Sequence, residues 1–278
     1  MSSLTIFNSA SAMRFDLAGS ASRISTSSDA PGGSSRFLLD RPRRGRASDL
    51  VIAQCPFSRD NFRDGHPGRR HQVKIDPATL TAGAAYGWQA ATILPRPIAW
   101  TSTLNEDGTP NLAPFSFFTG VSSDPPMVLI CVSRRKQQPD GTRPPKDTWR
   151  NIERSGEFVI HVVNDALGQQ MDTTSREFPP GTDEFAAIGL TKAASDRIAP
   201  PRIAEAPVAM ECRLERIVEV GRGGTAIIIG ELLLWHVHDD LMIDGRLDLS
   251  RLDAIGLMSG CTYTRTRSRF EMRRPPQK

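Results

Sequence analysis

Pro95-Arg96-Pro97-Ile98-Ala99-Trp100-Thr101-Ser102-Thr103-Leu104 leads into Asn105-Glu106-Asp107-Gly108-Thr109 and then Asn111-Leu112-Ala113-Pro114-Phe115-Ser116-Phe117-Phe118. The two prolines stop any helix and launch extended chain. Residues 98–104 alternate and carry enough β-branched side chains to form a strand, and Asp107-Gly108 is a hairpin turn signal. Residues 111–115 are therefore expected to pair back on it.

Downstream, Ser123-Asp124-Pro125-Pro126 precedes a continuous apolar run over 127–132, which reads as a strand buried on both faces. A basic loop over 133–146 follows, then Lys146-Asp147-Thr148-Trp149-Arg150-Asn151-Ile152, where Asp147 is expected to cap a helix that ends near Gly156. Residues 157–163 return as a strand and 164–173 as a helix. The stretch 178–185 reads as a loop followed by a helical turn. Residues 207–220 and 225–238 form two long strands joined at Gly221-Arg222-Gly223-Gly224, residues 249–257 a short helix, and 259–263 a last extended piece. Upstream, Asp76-Pro77 opens a short helix that 82–91 continue.

Strands joined by hairpins dominate, so the fold class is mainly β: a closed or nearly closed antiparallel barrel, Greek-key-like, with peripheral helices. The strand–helix alternation of a doubly wound sheet is absent. Gly221 to Gly224 lies in a hairpin turn, not between a strand and a helix, so it makes a weak phosphate loop.

Composition narrows the function. The 278 residues are 38% hydrophobic, enough for a real core. No window approaches the roughly 18 apolar residues of a membrane helix, which excludes an integral membrane protein of that kind. Residues 1–72 hold eleven basic and six acidic side chains, while the remainder is nearly balanced at −1. The net charge of +4 thus belongs to the leader, and a nucleic-acid partner is not expected. Residues 1–72 are rich in Ser, Gly, Arg and Pro and read as a disordered leader, with one domain over 73–278. Asp16, Asp29 and Asp40 break the acid-poor rule of organelle transit peptides, so a cytoplasmic location is expected, with targeting left open.

The cysteines Cys55, Cys131, Cys212 and Cys261 show no zinc or disulfide spacing; Cys131 and Cys212 are expected to pack as small apolar groups. His236 and His238 alternate on a strand, but no third metal ligand is identifiable, and His161 reads as structural. No nucleophile elbow is present, and no catalytic residue is assigned.

Two constellations remain. Lys146 and Thr148 at a helix start, with Ser133, Arg134 and Arg135 at the preceding strand end, suit a phosphate monoester. An ordinary basic loop before a capped helix would carry the same residues. Two or three charge-assisted bonds of roughly 1.5–3 kcal/mol each fall short of the roughly 8 kcal/mol of a micromolar complex, so a buried ring would have to contribute as well. Thr101, Ser102 and Thr103, together with Ala113, Pro114, Ser116 and Phe117, offer hydroxyls and flat apolar groups for such a ring, or simply core.

These ordered motifs, continued by Gly156-Glu157-Phe158-Val159, Ala206-Pro207-Val208, Glu211-Cys212 and Gly230-Glu231, resemble the flavin reductase-like, FMN-binding split-barrel family over about residues 74–274. The resemblance implies a split β-barrel homodimer with FMN at the subunit interface. It places the phosphate near Lys146 and Thr148 and the ring against 101–103 and 113–118. It also implies hydride transfer from NAD(P)H to flavin, with a possible electron-accepting partner. The alternative is an FMN-binding electron carrier without reductase activity of its own. The Gly256 to Tyr263 stretch looks like the family's Gly-rich ending, although Leu257, Met258 and Cys261 depart from it.

Overall fold

The structure, a computed structural model, describes residues 72–179 and 181–272. The expectations for the leader and for Cys55 lie outside the described residues. The chain enters with a single 3-10 turn, Pro77–Thr79, and helix α1 (Ala82–Thr92), whose first turn is capped by the Thr81 hydroxyl accepting the Ala84 N–H at 3.2 Å.

Strands β1 (Ala99–Leu104), β2 (Pro110–Phe115), β3 (Phe118–Ser123) and β4 (Pro126–Ser133) follow in succession. Helix α2 (Asp147–Ser155) leads to β5 (Glu157–Val162). After α3 (Gly168–Thr173) and α4 (Glu184–Ala187) come the two-residue strands β6 (Lys192–Ala193) and β7 (Arg202–Ile203), which pair with each other. The long strands β8 (Val208–Val220) and β9 (Thr225–Val237) form the expected hairpin. Beyond them lie the ladder β10 (Met242–Ile243) with β11 (Arg246–Leu247), helix α5 (Leu249–Leu252), and the terminal hairpin β12 (Ile255–Leu257) with β13 (Tyr263–Arg265).

Seven strands form one antiparallel sheet in the order β2-β1-β5-β8-β9-β4-β3. Its edge strands are separated in sequence by Ser116 and Phe117 alone. A flat seven-stranded sheet would hold its edges about 28 Å apart, whereas that connection spans about 10 Å at most. The sheet must therefore curl on itself, and the Cys131 N–H donating to Phe117 O at 2.9 Å joins β4 to that corner. Bulges at Glu211/Cys212 and Leu214/Arg216 give the long strands extra bend.

The inner face is packed by Ala99, Phe115, Ile130, Phe158, Ile160, Cys212 and Ile228, with Trp149 and Ile152 of α2. Neighbouring residues on β1, β2 and β5 face outward into a second core of Trp100, Leu112, Met171, Phe185 and Ile203. β1 and β5 are thus buried on both sides. β4 is not: Val128, Ile130 and Val132 are buried while Met127, Leu129 and Cys131 stay half-buried. The corrected reading is one inward face, because nothing among the described residues fully covers the other.

Two further expectations are corrected, and strand β3 was not expected at all. β3 carries no alternation and is nearly all exposed, so it exists through its pairing with β4. Asp147 is the first residue inside α2; its carboxylate pairs with Arg135 and Arg150 instead of capping, and the cap position is Lys146. Residues 249–257 divide into α5 and β12, with Asp253 between them in the left-handed region at φ 46°.

Candidate functional site

A cavity of about 430 Å³ opens where β2, the end of β4 and the start of α2 converge. Ala113, Pro114 and Phe115 form one wall, Ser133, Arg134 and Arg135 a second, and Lys146, Asp147 and Thr148 a third. The segment from Thr174 to Phe178 and Glu184 closes the remaining side.

Helix α2 is fixed there by a buried amide–hydroxyl network. Asn111 Nδ2 donates to Thr148 Oγ1 at 3.0 Å and to Thr103 Oγ1 at 3.2 Å. Asn151 Nδ2 donates to Thr103 Oγ1 at 3.0 Å and to Asn105 Oδ1 at 2.8 Å. The hairpin and the helix are thereby locked together, so the unpaired N–H groups of the first turn of α2 are held at the cavity wall beside Lys146.

The cations differ in what they are free to do. The Arg134 guanidinium lies 4.6 Å from the centre of the Trp149 ring, donates to Glu219 at 2.8 Å, and reaches Arg143 O at 3.3 Å. Arg135 pairs with Asp147 and stands 3.8 Å from Glu177. The Lys146 ammonium makes no ion pair or hydrogen bond among the described residues and lies 6.0 Å from the Phe115 ring centre, while its backbone carbonyl accepts the Arg150 N–H at 3.1 Å. Burial pushes its pKa down, Glu177 works in the opposite direction, and Arg135 adds to the lowering. A largely buried ammonium with no carboxylate on it is short of an anion.

Glu184 shows the converse. Its carboxylate lines the cavity and accepts the Leu112 N–H, a group that edge strand β2 would otherwise leave unpaired. Burial lifts its pKa to about 7 against the pull of that hydrogen bond; Asp147 and Asp183 lift it further and Arg135 opposes them.

Seven residues expected at a ligand therefore come together: Ala113, Pro114, Ser133, Arg134, Arg135, Lys146 and Thr148. The others lie elsewhere. Thr101, Ser102 and Thr103 are fully buried in β1, with their hydroxyls engaged inside the protein. Thr101 Oγ1 donates to Ala99 O at 3.3 Å and Ser102 Oγ to Pro201 O at 2.6 Å, while Thr103 accepts from the two asparagines. Ser116 accepts from Arg96 Nε at 3.2 Å, and Phe117 packs edge-on against Tyr86 with Arg96 over its ring. Sequence reasoning missed Phe178 and Glu184, because 178–185 has the composition of an ordinary loop with the Asp183-Glu184-Phe185 triplet as its signal, and Glu177 just before it, which carried none.

The three described histidines, His161, His236 and His238, are all engaged within the protein. His161 is fully buried; its Nδ1–H donates to Trp100 O at 2.8 Å and its Nε2 accepts the Ile203 N–H at 2.9 Å. That pairing fixes the neutral tautomer, and burial lowers its pKa to about 4. His236 Nε2 contacts the buried Glu211 at 2.6 Å, with Asp196 near enough that the three ligand atoms lie within 4.8 Å. Both Glu211 oxygens already accept backbone N–H groups, from Asp196 at 2.7 Å and Arg197 at 2.8 Å. Burial works to raise the Glu211 pKa, but these bonds and the imidazole outweigh it and hold it low. His238 turns instead to Ala204 O at 3.1 Å. Cys131, Cys212 and Cys261 are free thiols, and burial pushes the Cys212 thiol pKa up.

A curled antiparallel sheet closed into a barrel, with a cavity walled by cations at a helix start, defines the class of protein. The chain belongs to the flavin reductase-like family: residues 91–248 match the flavin reductase like domain. It is 40% identical over 208 residues to a protein of Deinococcus radiodurans, covering 72% of this chain and 88% of that one. Nitrilotriacetate monooxygenase component B from Bacillus cereus superposes with a TM-score of 0.68 at 30% identity, over 73% of this chain and 99% of the other. A split-barrel-domain protein of Shewanella frigidimarina superposes with a TM-score of 0.60 at 22% identity, over 72% and 96% of the two chains, and shows the fold alone. The fold is the split β-barrel. Among the described residues no helix is long and apolar enough to cross a membrane.

Proposed function

We propose that this chain binds FMN in the cavity between β2, β4 and α2 and transfers a hydride from NAD(P)H to flavin. The observation that carries the reading is Lys146: a largely buried ammonium without an anion, beside free N–H groups at a helix start. A phosphate monoester supplies the missing charge and accepts those donors. Ser133 and Thr148 line the same cavity. Arg134 and Arg135, tied to Glu219 and to Asp147, add positive potential while holding the loop in shape. Ala113, Pro114 and Phe115 offer an apolar wall to a planar ring. A volume of about 430 Å³ falls within the roughly 300–1,000 Å³ of small-molecule sites.

The flavin, when bound, supplies the hydride-accepting chemistry, and the protein supplies binding and orientation. A homodimer completes the site in this reading, which the half-buried outer face of β4 and the exposed Val121 on edge strand β3 support. The similarity to a monooxygenase component supports a separate electron-accepting partner. Family membership also admits an electron carrier without its own NAD(P)H activity. The test is to purify the full chain, record its visible spectrum with added FMN, and add NADH and NADPH separately under anaerobic conditions. Catalytic bleaching of the flavin band is expected and names the donor. A band that persists with both donors sinks the reductase reading in favour of the carrier, and failure to bind FMN sinks both.

A further inference from the structure

We infer that Glu184 is the proton-coupled partner of the anion site, taking up a proton when a phosphate-bearing ligand enters the cavity. The inference rests on the reading of the cavity as a phosphate site and adds a regulation to it. Its basis is placement. Glu184 is a mostly buried carboxyl in the wall of the same cavity as Lys146, and among the described residues its one hydrogen-bonded partner is a neutral backbone N–H, that of Leu112.

Charged and polar groups stand around the cavity it lines and at the cap of its own helix. From the α2 side these are Asp147, Thr148 and Lys146, and from the end of β4 Arg134, Arg135 and Lys136. Arg176 and Glu177 come from the segment before α4, and Asp183 from its own cap, the last paired with Lys192 at 2.6 Å. Asp147 and Asp183 already act against the ionised form. The one favourable cation that acts on it directly, Arg135, is shared with Asp147 and Glu177. A ligand dianion on Lys146 adds like charge to this set and draws on the same cations. The ionised carboxylate then becomes the unfavourable form, and a proton from solvent neutralises it.

Protonated Glu184 keeps one oxygen to accept the Leu112 N–H, so the β2 edge need not move. Its titration near pH 7 without ligand places the coupling in the neutral range. Ligand affinity should fall as pH rises above 7, where the proton must be acquired on binding.

The experiment is isothermal titration calorimetry of the full chain with FMN, and separately with inorganic pyrophosphate, in buffers of different ionisation enthalpy between pH 6 and 8. Wild type should take up about half a proton per ligand at pH 7, with uptake vanishing toward pH 6, where the carboxyl is already neutral. The uptake should be absent from Glu184→Gln, which keeps the acceptor and removes the proton site. Equal proton linkage in wild type and variant overturns the inference. Should the variant fail to fold, wild-type uptake that does not change with pH overturns it as well. FMN binding without uptake refutes the coupling and leaves the flavin reading standing; pyrophosphate binding with uptake but no FMN binding does the reverse. If neither ligand binds, both fall.

Discussion

Replacing Lys146 with methionine should weaken FMN binding without weakening the unliganded protein. Methionine keeps an unbranched apolar stem against Phe115 and removes the charge. A charge-assisted hydrogen bond to phosphate contributes roughly 1.5–3 kcal/mol, which corresponds to a roughly 10- to 150-fold rise in Kd. The effect on the empty protein has the opposite sign. Burial lowers the Lys146 pKa, so the folded chain holds that proton less tightly than the unfolded one, and at neutral pH the ammonium opposes folding. Among the described residues no ion pair or side-chain hydrogen bond is lost with it, and the cap position of α2 uses no side-chain bond. The melting temperature of the unliganded variant at pH 7 should therefore be equal to or higher than wild type. Quenching of FMN fluorescence gives Kd, and calorimetry without ligand gives Tm. Unchanged FMN affinity would remove Lys146 from the phosphate site. A melting temperature lowered by several degrees would show that the ammonium has a structural partner.

Other outcomes follow from the packing and the titrating groups. Gly230→Ala should destabilise the fold by roughly 1–3 kcal/mol in a denaturant titration, because an added Cβ would lie 2.9 Å from Phe158 Cε1, closer still to Cζ, and 3.3 Å from Arg213 O; a neutral result would mean that the bulged β8–β9 hairpin yields there. His161 and Glu184 should act oppositely in acid. The depressed His161 pKa of about 4 contributes stability that is present above pH 6.5 and lost as pH falls toward 4, up to about 3 kcal/mol. The raised Glu184 pKa makes the carboxylate oppose folding above pH 7, and that opposition disappears as pH falls toward 4.5. Glu184→Gln should thus be more stable than wild type at pH 8 and lose stability more steeply between pH 6.5 and 4; parallel stability–pH curves would refute this. Deleting residues 1–72 should leave FMN binding intact, and loss of the cofactor would assign the leader a part in the site.

How far the chain could be read depended on the range of the interaction concerned. The β1–β2 and β8–β9 hairpins were legible because alternation and turn chemistry are local, and Gly156 marked the end of α2 by its left-handed φ of 73°. β3 was not legible, since its residues have no buried face and only β4 makes them a strand. In the site, the Lys146 to Asn151 segment announced itself by composition at a helix start, and the structure shows why Asn151 belongs to it: it clamps α2 to β1 and the adjacent turn.

The sequence alone thus determined the strands that carry their own alternation or turns, the barrel class, the family and the helix start that faces the cavity. Those properties follow from neighbours a few residues apart. Which hydroxyls are free was decided only in three dimensions, where Ser102 meets Pro201 and Thr103 meets Asn111 and Asn151. The same is true of the cations: Arg134 and Arg135 are held by Glu219 and Asp147, leaving Lys146 unmatched. Glu184 enters the site only because the segment after α3 folds back across β2 and lends a carboxylate to an open strand edge. A side chain's charge is written in the sequence, but its partners, and hence its chemistry, are set by what the closed sheet brings within hydrogen-bonding reach.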